Sequence, residues 1–263
     1  MSRKLSKAPV YYVIAAVSFN PILKMDNYVA AIQDHFRKNG FPDLSQNVFN
    51  VLDVNLNGQP PGQATFAQRP VAQYLFLNEN RTACFTLAHD RLTYQTTEYE
   101  KFDSFSTVFL DGLSFVSQTI GLAYFERIGI RYLDAIVVPE NEPIQNYLNP
   151  AILGIVDESI GRRTISFSES VFDDGQVQVT ARSISMKGPL GMPADLQPMQ
   201  LKLLPRFTEI NGAHTILDTD GSAPQGWRVP KIDKIKEKLI SIHDKISLAF
   251  TTTVTKQALE IWK

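Results

Sequence analysis

The order in which two periodicities follow one another constrains this chain most. Segments that alternate apolar and polar residues come in runs, and long stretches with apolar residues every three or four positions are few. "VYYVIAAVSF" (10–19) reads as a strand ended by Asn20-Pro21. "ILKMDNYVAAIQDHFRKNG" follows as a helix, with Ile22, Met25, Val29, Ile32 and Phe36 on one stripe and Asn39-Gly40 as its stop. Next come strands in "NVFNVLDVNLNG" and in "VAQYLFLNENRTACFTLAHDRLTYQT", joined by the turn-rich "NGQPPGQATFAQRP". "FDSFSTVFLDGLSFVSQTIG" is a second helix, with Asp103 or Ser104 as N-cap and Gly121 past its end.

The second part restarts the rhythm. Tyr124 to Pro139 is one long strand. "RTISFSESVFDDGQVQVTARSISM" predicts a hairpin about "DDG", and "MQLKLLPRFTEINGAHTILDTDG" another about "NG". A last helix, from about Pro230 to Trp262, carries Ile232, Ile235, Leu239, Ile242, Ile246 and Ala249 on one stripe. Its "TTTVT" is a run of poor helix formers, so packing must hold that turn. Strand meanders followed by single long helices, without strict βαβ alternation, predict an α+β fold: a mainly antiparallel sheet with three long amphipathic helices. We expect one domain over 1–263, with two similar halves, 8–138 and 139–263.

The net charge of -1 argues against a protein built chiefly to grip nucleic acid. The single cysteine, Cys84, excludes an intrachain disulfide and a cysteine-based zinc site, and in "TACFTL" it reads as core. The N-terminal basic-then-apolar run contains Pro9, Tyr11 and Tyr12, and reads as a first strand rather than a signal peptide. No stretch approaches the roughly 18 apolar residues of a membrane helix. The expectation is a cytoplasmic protein without membrane contact.

Phosphate-binding glycine loops, nucleophile elbows and zinc-protease motifs are absent. The four histidines, His35, His89, His214 and His243, include no pair at metal-ligand spacing, so neither metal nor cofactor is expected. Successive helical residues point about 100° apart, so His243-Asp244 is no dyad, and packing or a hydrogen bond is the reading for His243. His89 and Asp90, in a tight turn, are weaker candidates. Asp218 and Asp220 share a strand face in "LDTDGS", a weak cation-site candidate beside the plainer reading of a strand running into a turn. Lys231, Lys234 and Lys238 line one side of the last helix, interleaved with Asp233 and Glu237. They form either a salt-bridged solvated face or a basic patch for phosphates.

The strongest candidate is "FERIGIRYLDAI". Strict alternation puts Ile128, Ile130 and Tyr132 on one face and Arg127, Gly129 and Arg131 on the other, with the arginines roughly 13 Å apart. Arginine forks grip carboxylate or phosphate, and a glycine between them leaves room for a ligand or a close helix. The competing reading is two structural ion pairs with carboxylates such as Glu98, Glu126 or Asp134.

"APVYYVIAAVSFNP", "DRLTYQTTEYEKFDSF", "ERIGIRYLDAI" and "IHDKISLAFTTTVT", in that order, resemble a sporadically distributed bacterial family of uncharacterised proteins of about this length, known by a provisional numbered family name. The likeness covers essentially the whole chain. "RIGIRYLDAI" and the "HDKI" stretch are its most specific parts, and Asp134 stands where the family usually has asparagine. The resemblance transfers no catalytic residue. The patchy distribution looks like that of mobile, antiviral-defence or toxin–antitoxin genes.

The first expectation is therefore a non-enzymatic binding protein working through a protein partner or a second copy of itself, in a phage-defence or toxin–antitoxin setting. The second is an enzyme or sensor for an anionic small molecule such as a nucleotide, held by Arg127 and Arg131. The third is nucleic-acid binding through the last helix.

Overall fold

The computed structural model describes residues 8–55, 65–139, 141–155, 158–161, 163–197 and 200–263. The basic "SRKLSK" segment and residues 56–64 of the turn-rich connection lie outside them. The chain is α+β, one large antiparallel sheet with five helices among the described residues, three of them seven residues or longer.

β1 (Val10–Phe19) and β6 (Phe125–Val137) pair at the centre of the sheet. Outward from β1 run β5 (Arg91–Thr96), β4 (Ala83–Ala88), β3 (Thr65–Leu77) and β2 (Asp43–Asn55). Outward from β6 run β9 (Asn211–Ser222), β8 (Gln178–Pro189) and β7 (Ile165–Asp173). A short β10 (Arg228–Val229) pairs with the start of β6. Each side begins at the centre, leaves for an outer edge and steps back inward until its last strand pairs with its first. This order sets the divide between the halves just before β6, not at 138–139, because β6 is the counterpart of β1.

Three helices cover one face. α1 (Asp26–Lys38) buries Ile32 and Phe36, α2 (Phe102–Ile120) buries Phe105, Phe109, Leu113 and Val116, and α4 (Ile232–Thr253) buries Ile235, Leu239, Ile242 and Ile246. All join one core with Val13, Ala15, Val17, Ile128 and Ile130 of the central strands. α4 lies close on β9: a Cβ at Gly221 would stand 2.7 Å from the Ile242 side chain. A third cluster, at one end of the sheet, packs Ile136 and Leu217 against Leu148, Val254 and Trp262.

The opposite face is covered by chain rather than by long helices. Leu201 and, on the short α3 (Pro205–Thr208), Phe207 pack on Tyr11, Tyr12, Leu77, Cys84 and Leu133. This corrects the hairpin expected about Asn211-Gly212. The residues before it plug the second core instead of pairing, and Asn211 opens β9 against Pro189. Cys84 is fully buried, and burial pushes its thiol up to about 11, which suits an inert core residue.

Other boundaries also move. The last helix breaks after Thr253: Val254 bridges to Leu148, and the Thr255 hydroxyl caps a separate α5 (Lys256–Ile261) by accepting from the Ala258 N–H. The β-branched run therefore ends the helix. The N-cap of α2 is Lys101 rather than Asp103 or Ser104. β3 starts at Thr65 and passes through Pro70, tolerated because β4 pairs with β3 only from Tyr74 onward. Among the described residues no helix is long and apolar enough to cross a membrane.

Candidate functional site

The two arginines of β6 part company at a bulge. Ala16 pairs with Gly129 and Ser18 with Glu126, so Arg127 and Ile128 both stand against Val17. Arg127 takes φ +51° there and turns its side chain to solvent, without an ion pair to any described residue. The extra residue resets the alternation, and Phe125 and Ile128 both face the helix-side core. Alternation from a single sequence cannot show such a step.

Arg131 is saturated. Its Nε donates to Asp218 Oδ1 at 2.6 Å and its Nη2 to Asp218 Oδ2 at 2.7 Å, while Nη1 donates to Asp195. Arg182 adds a longer contact to Asp218 and bonds Glu169, so the charges run as a stripe across β6, β9, β8 and β7. Burial alone would lower the Arg131 pKa, but the hydrogen bonds it donates to Asp218 and Asp195 outweigh burial and raise it. Gly129 offers no ligand space, since a Cβ there would stand 3.0 Å from the Gly221 carbonyl oxygen. One of the two expected ion pairs is present, at Arg131, with Asp218 and Asp195 in place of the expected carboxylates Glu98, Glu126 and Asp134.

Asp218 and Asp220 do share a face, but Asp218 is committed to the arginines. Among the described residues no group of three His, Cys, Asp or Glu is placed to hold a metal. His89 and Asp90 anchor the β4–β5 turn through their carbonyls, which accept from the Ile22 and Phe19 N–H groups. Lys234 pairs with Glu237, Lys238 donates to the Gln176 carbonyl, and Lys231 is an exposed N-cap. These three do not form a free basic patch.

Two spaces on the helix side are better candidates. The first is a cleft of about 640 Å³ between α4 and the β7–β8 hairpin. Val179, Ala181 and Leu217 form its floor, with Phe172 on one wall and Leu248 and Ala249 of α4 on the other. Both ends are tied. At one, Asp174 in the hairpin turn meets Lys245 at 2.7 Å; at the other, the Asn149 N–H donates to the Thr253 carbonyl and the Ser183 hydroxyl to the Ile152 carbonyl. The Lys245 ammonium, helped by the N–H groups of Val177 and Gln176, holds the Asp174 carboxyl well below its ordinary range. Phe172 is 58 % exposed and Leu248 62 %.

The second space, of about 400 Å³, lies where α4, α5, the segment leading into α2 and the start of β1 meet over β6. Tyr99 and Tyr132 share a hydrogen bond at 3.3 Å, and Tyr132 shares another with His243 Nδ1 at 3.1 Å. His243 stacks on Phe102 at 4.0 Å, so packing and a hydrogen bond do occupy it. Burial lowers its pKa and raises that of Tyr99 to about 12. Asp134 stands two residues beyond Tyr132 on the same face of β6, 6 % exposed, and burial lifts its carboxyl to about 7. No described residue donates a hydrogen bond to it. The sequence held a signal for it: alternation from Ile130 and Tyr132 puts a carboxylate at an inward position. Nothing in the sequence marked Phe172 or Leu248, whose exposure depends on what fails to cover them. No protein-family model, no curated protein and no solved structure matches this chain.

Proposed function

We propose that this chain is a non-enzymatic binding protein acting through a protein partner, and that the partner lays an amphipathic helix into the cleft between α4 and the β7–β8 hairpin. The carrying observation is the uncovered apolar ground on the β6 side of the sheet. On the β1 side the ground outside α2 is occupied by α1, which seats Phe36 on Phe76 of β3 and Phe85 of β4. On the β6 side the ground outside α4 holds no helix among the described residues, and Phe172 and Leu248 stand open across it. Exposed apolar patches with polar rims mark interaction surfaces, and helix-in-groove docking is a recurrent way of filling them. The proposed occupant follows the pattern of α1, a 13-residue helix that presents an apolar stripe to the β1 side.

Arg131 is held by Asp218 and Asp195, and Lys234 and Lys238 of α4 are engaged within the chain, so the cleft is favoured over an anionic-ligand site on β6 or a nucleic-acid face on α4. The phage-defence or toxin–antitoxin setting rests on the family resemblance alone. Co-purification from the native host compares the wild type with a Phe172→Asp, Leu248→Asp double variant of unchanged circular dichroism. The expected result is a partner retained by the wild type and lost by the variant. Identical captures, or none above background, would sink the reading. Capture of this same chain alone would replace it with self-association.

A further inference from the structure

We infer that the cavity beneath the α4–α5 junction binds a small organic cation, an ammonium or amidinium group on an apolar body, whose charge pairs with Asp134. Buried carboxylates are ordinarily paired or hydrogen-bonded, because isolated burial of the charge is costly. Asp218, 1 % exposed, obeys this rule through two arginines. Asp134 does not: it is nine-tenths buried, lines the cavity and has no donor among the described residues. The nearby hydroxyls do not serve it, since Tyr99, Tyr132 and His243 bond one another in a chain. Among the described residues nothing supplies the donor its oxygens can accept from, and a guest in the cavity would supply it.

The rest of the wall suits such a guest. Ile246, Phe250 and Leu259 give it an apolar lining, and the phenol rings of Tyr99 and Tyr132 offer the faces that attract cations. About 400 Å³ is within the size range of small-molecule sites. A metal ion is a poor fit, because among the described residues no group of three His, Cys, Asp or Glu is placed to hold one. Glu100 and Lys101, from the segment before α2, also line the space, as does Lys263 at the end of the chain, which is engaged with Glu260.

The charge on Asp134 makes binding depend on pH. A cation pairs with the ionised carboxyl, so affinity rises as pH climbs through about 7, and binding releases a proton. The other groups that face Asp134 are Tyr132 on its own strand, Tyr11 of β1, Tyr99, Glu100 and Lys101 before α2, His243 of α4 and Lys263. The tyrosines stay protonated across this window. Burial holds His243 below its usual range, so it favours the neutral imidazole.

Isothermal titration calorimetry of the full chain with benzylamine, benzyl alcohol and benzoate, from pH 5.5 to 8.5, tests this. Benzylamine should bind at least tenfold more tightly than either isostere at pH 8.5. Its affinity should fall about 30-fold by pH 5.5, the loss of ionised carboxylate for a pKa near 7. Asp134→Asn should weaken benzylamine tenfold or more and flatten the pH profile. Equal affinities for the three probes, no binding of benzylamine, or an Asp134→Asn protein that keeps it would overturn the inference. The probe series on the wild type decides the matter even where the variant folds poorly, and none of its outcomes depends on the cleft.

Discussion

On the β1 side of the sheet, α1 lies outside α2 and seats Ile32 and Phe36 in the core over β3 and β4. On the β6 side, α4 is the outermost helix among the described residues, and beyond it β7 and β8 face an open cleft. The two sides trace the same path through the sheet, so the difference lies in the segment that leaves the first strand of each. After β1 the chain makes a helix of 13 residues; after β6 it makes short 3-10 turns at Ile144–Asn146 and Pro150–Ile152 that cover only the inner end. A sheet face needs a cover, and where the chain does not supply one it leaves a place for another molecule.

The largest expected effect contrasts the two sides directly. Phe36→Ala should cost about 3–5 kcal/mol in urea denaturation, as truncation of a buried aromatic does, while Phe172→Ala should stay within about 0.5 kcal/mol. Comparable costs would break the comparison. Arg131→Leu strands Asp218 without its main partner and should cost roughly 3–5 kcal/mol, whereas Arg127→Leu, at the solvent-facing bulge, should be near neutral by the same measurement. A mild Arg131→Leu would mean that the charged stripe under the β6 side is not structural.

Asp134→Asn has a sign that depends on pH. The folded carboxyl is raised from 3.8 to about 7, so the stability it permits is fully present below pH 4 and is lost as pH rises through 7. The variant should therefore match the wild type near pH 4 and exceed it by roughly 4 kcal/mol at pH 8, read from paired denaturation curves. A constant difference across that range would remove Asp134 as the titrating group. Gly221→Ala should cost about 1–3 kcal/mol through collision with Ile242 and Ile246, sharpening the point that α4 is seated as firmly as α1 although no helix among the described residues lies beyond it. A neutral Gly221→Ala would show that α4 rides loosely.

Much of the architecture was legible because it rests on local rules. Alternation and turn chemistry located the central strands and the hairpin about Asp174-Gly175, and the three- and four-residue spacing located the long helices. What failed to show depended on distant parts of the chain. Leu201 and Phe207 look like strand residues until a second core is seen to need them. Val254 ends α4 because Leu148 waits to pair with it. The bulge at Arg127 breaks a face that alternation treated as continuous, and the carboxylates that bind Arg131 come from β9 and from Asp195, remote in sequence. Asp134 was read only as a possible partner of the arginines, although alternation from Ile130 and Tyr132 puts it at an inward position, and its cavity is assembled from the start of β1, the approach to α2, β6, α4 and α5.

The most direct test is site-specific photo-crosslinking in the native host, with the photoreactive residue placed at Leu248 beside the cleft or at Leu23, 98 % exposed on the β1 side. The expected result is one discrete heteromeric adduct from position 248 and none from position 23. Equal labelling from both positions, or no adduct from 248, would contradict a partner seated where the β6 side lacks its helix.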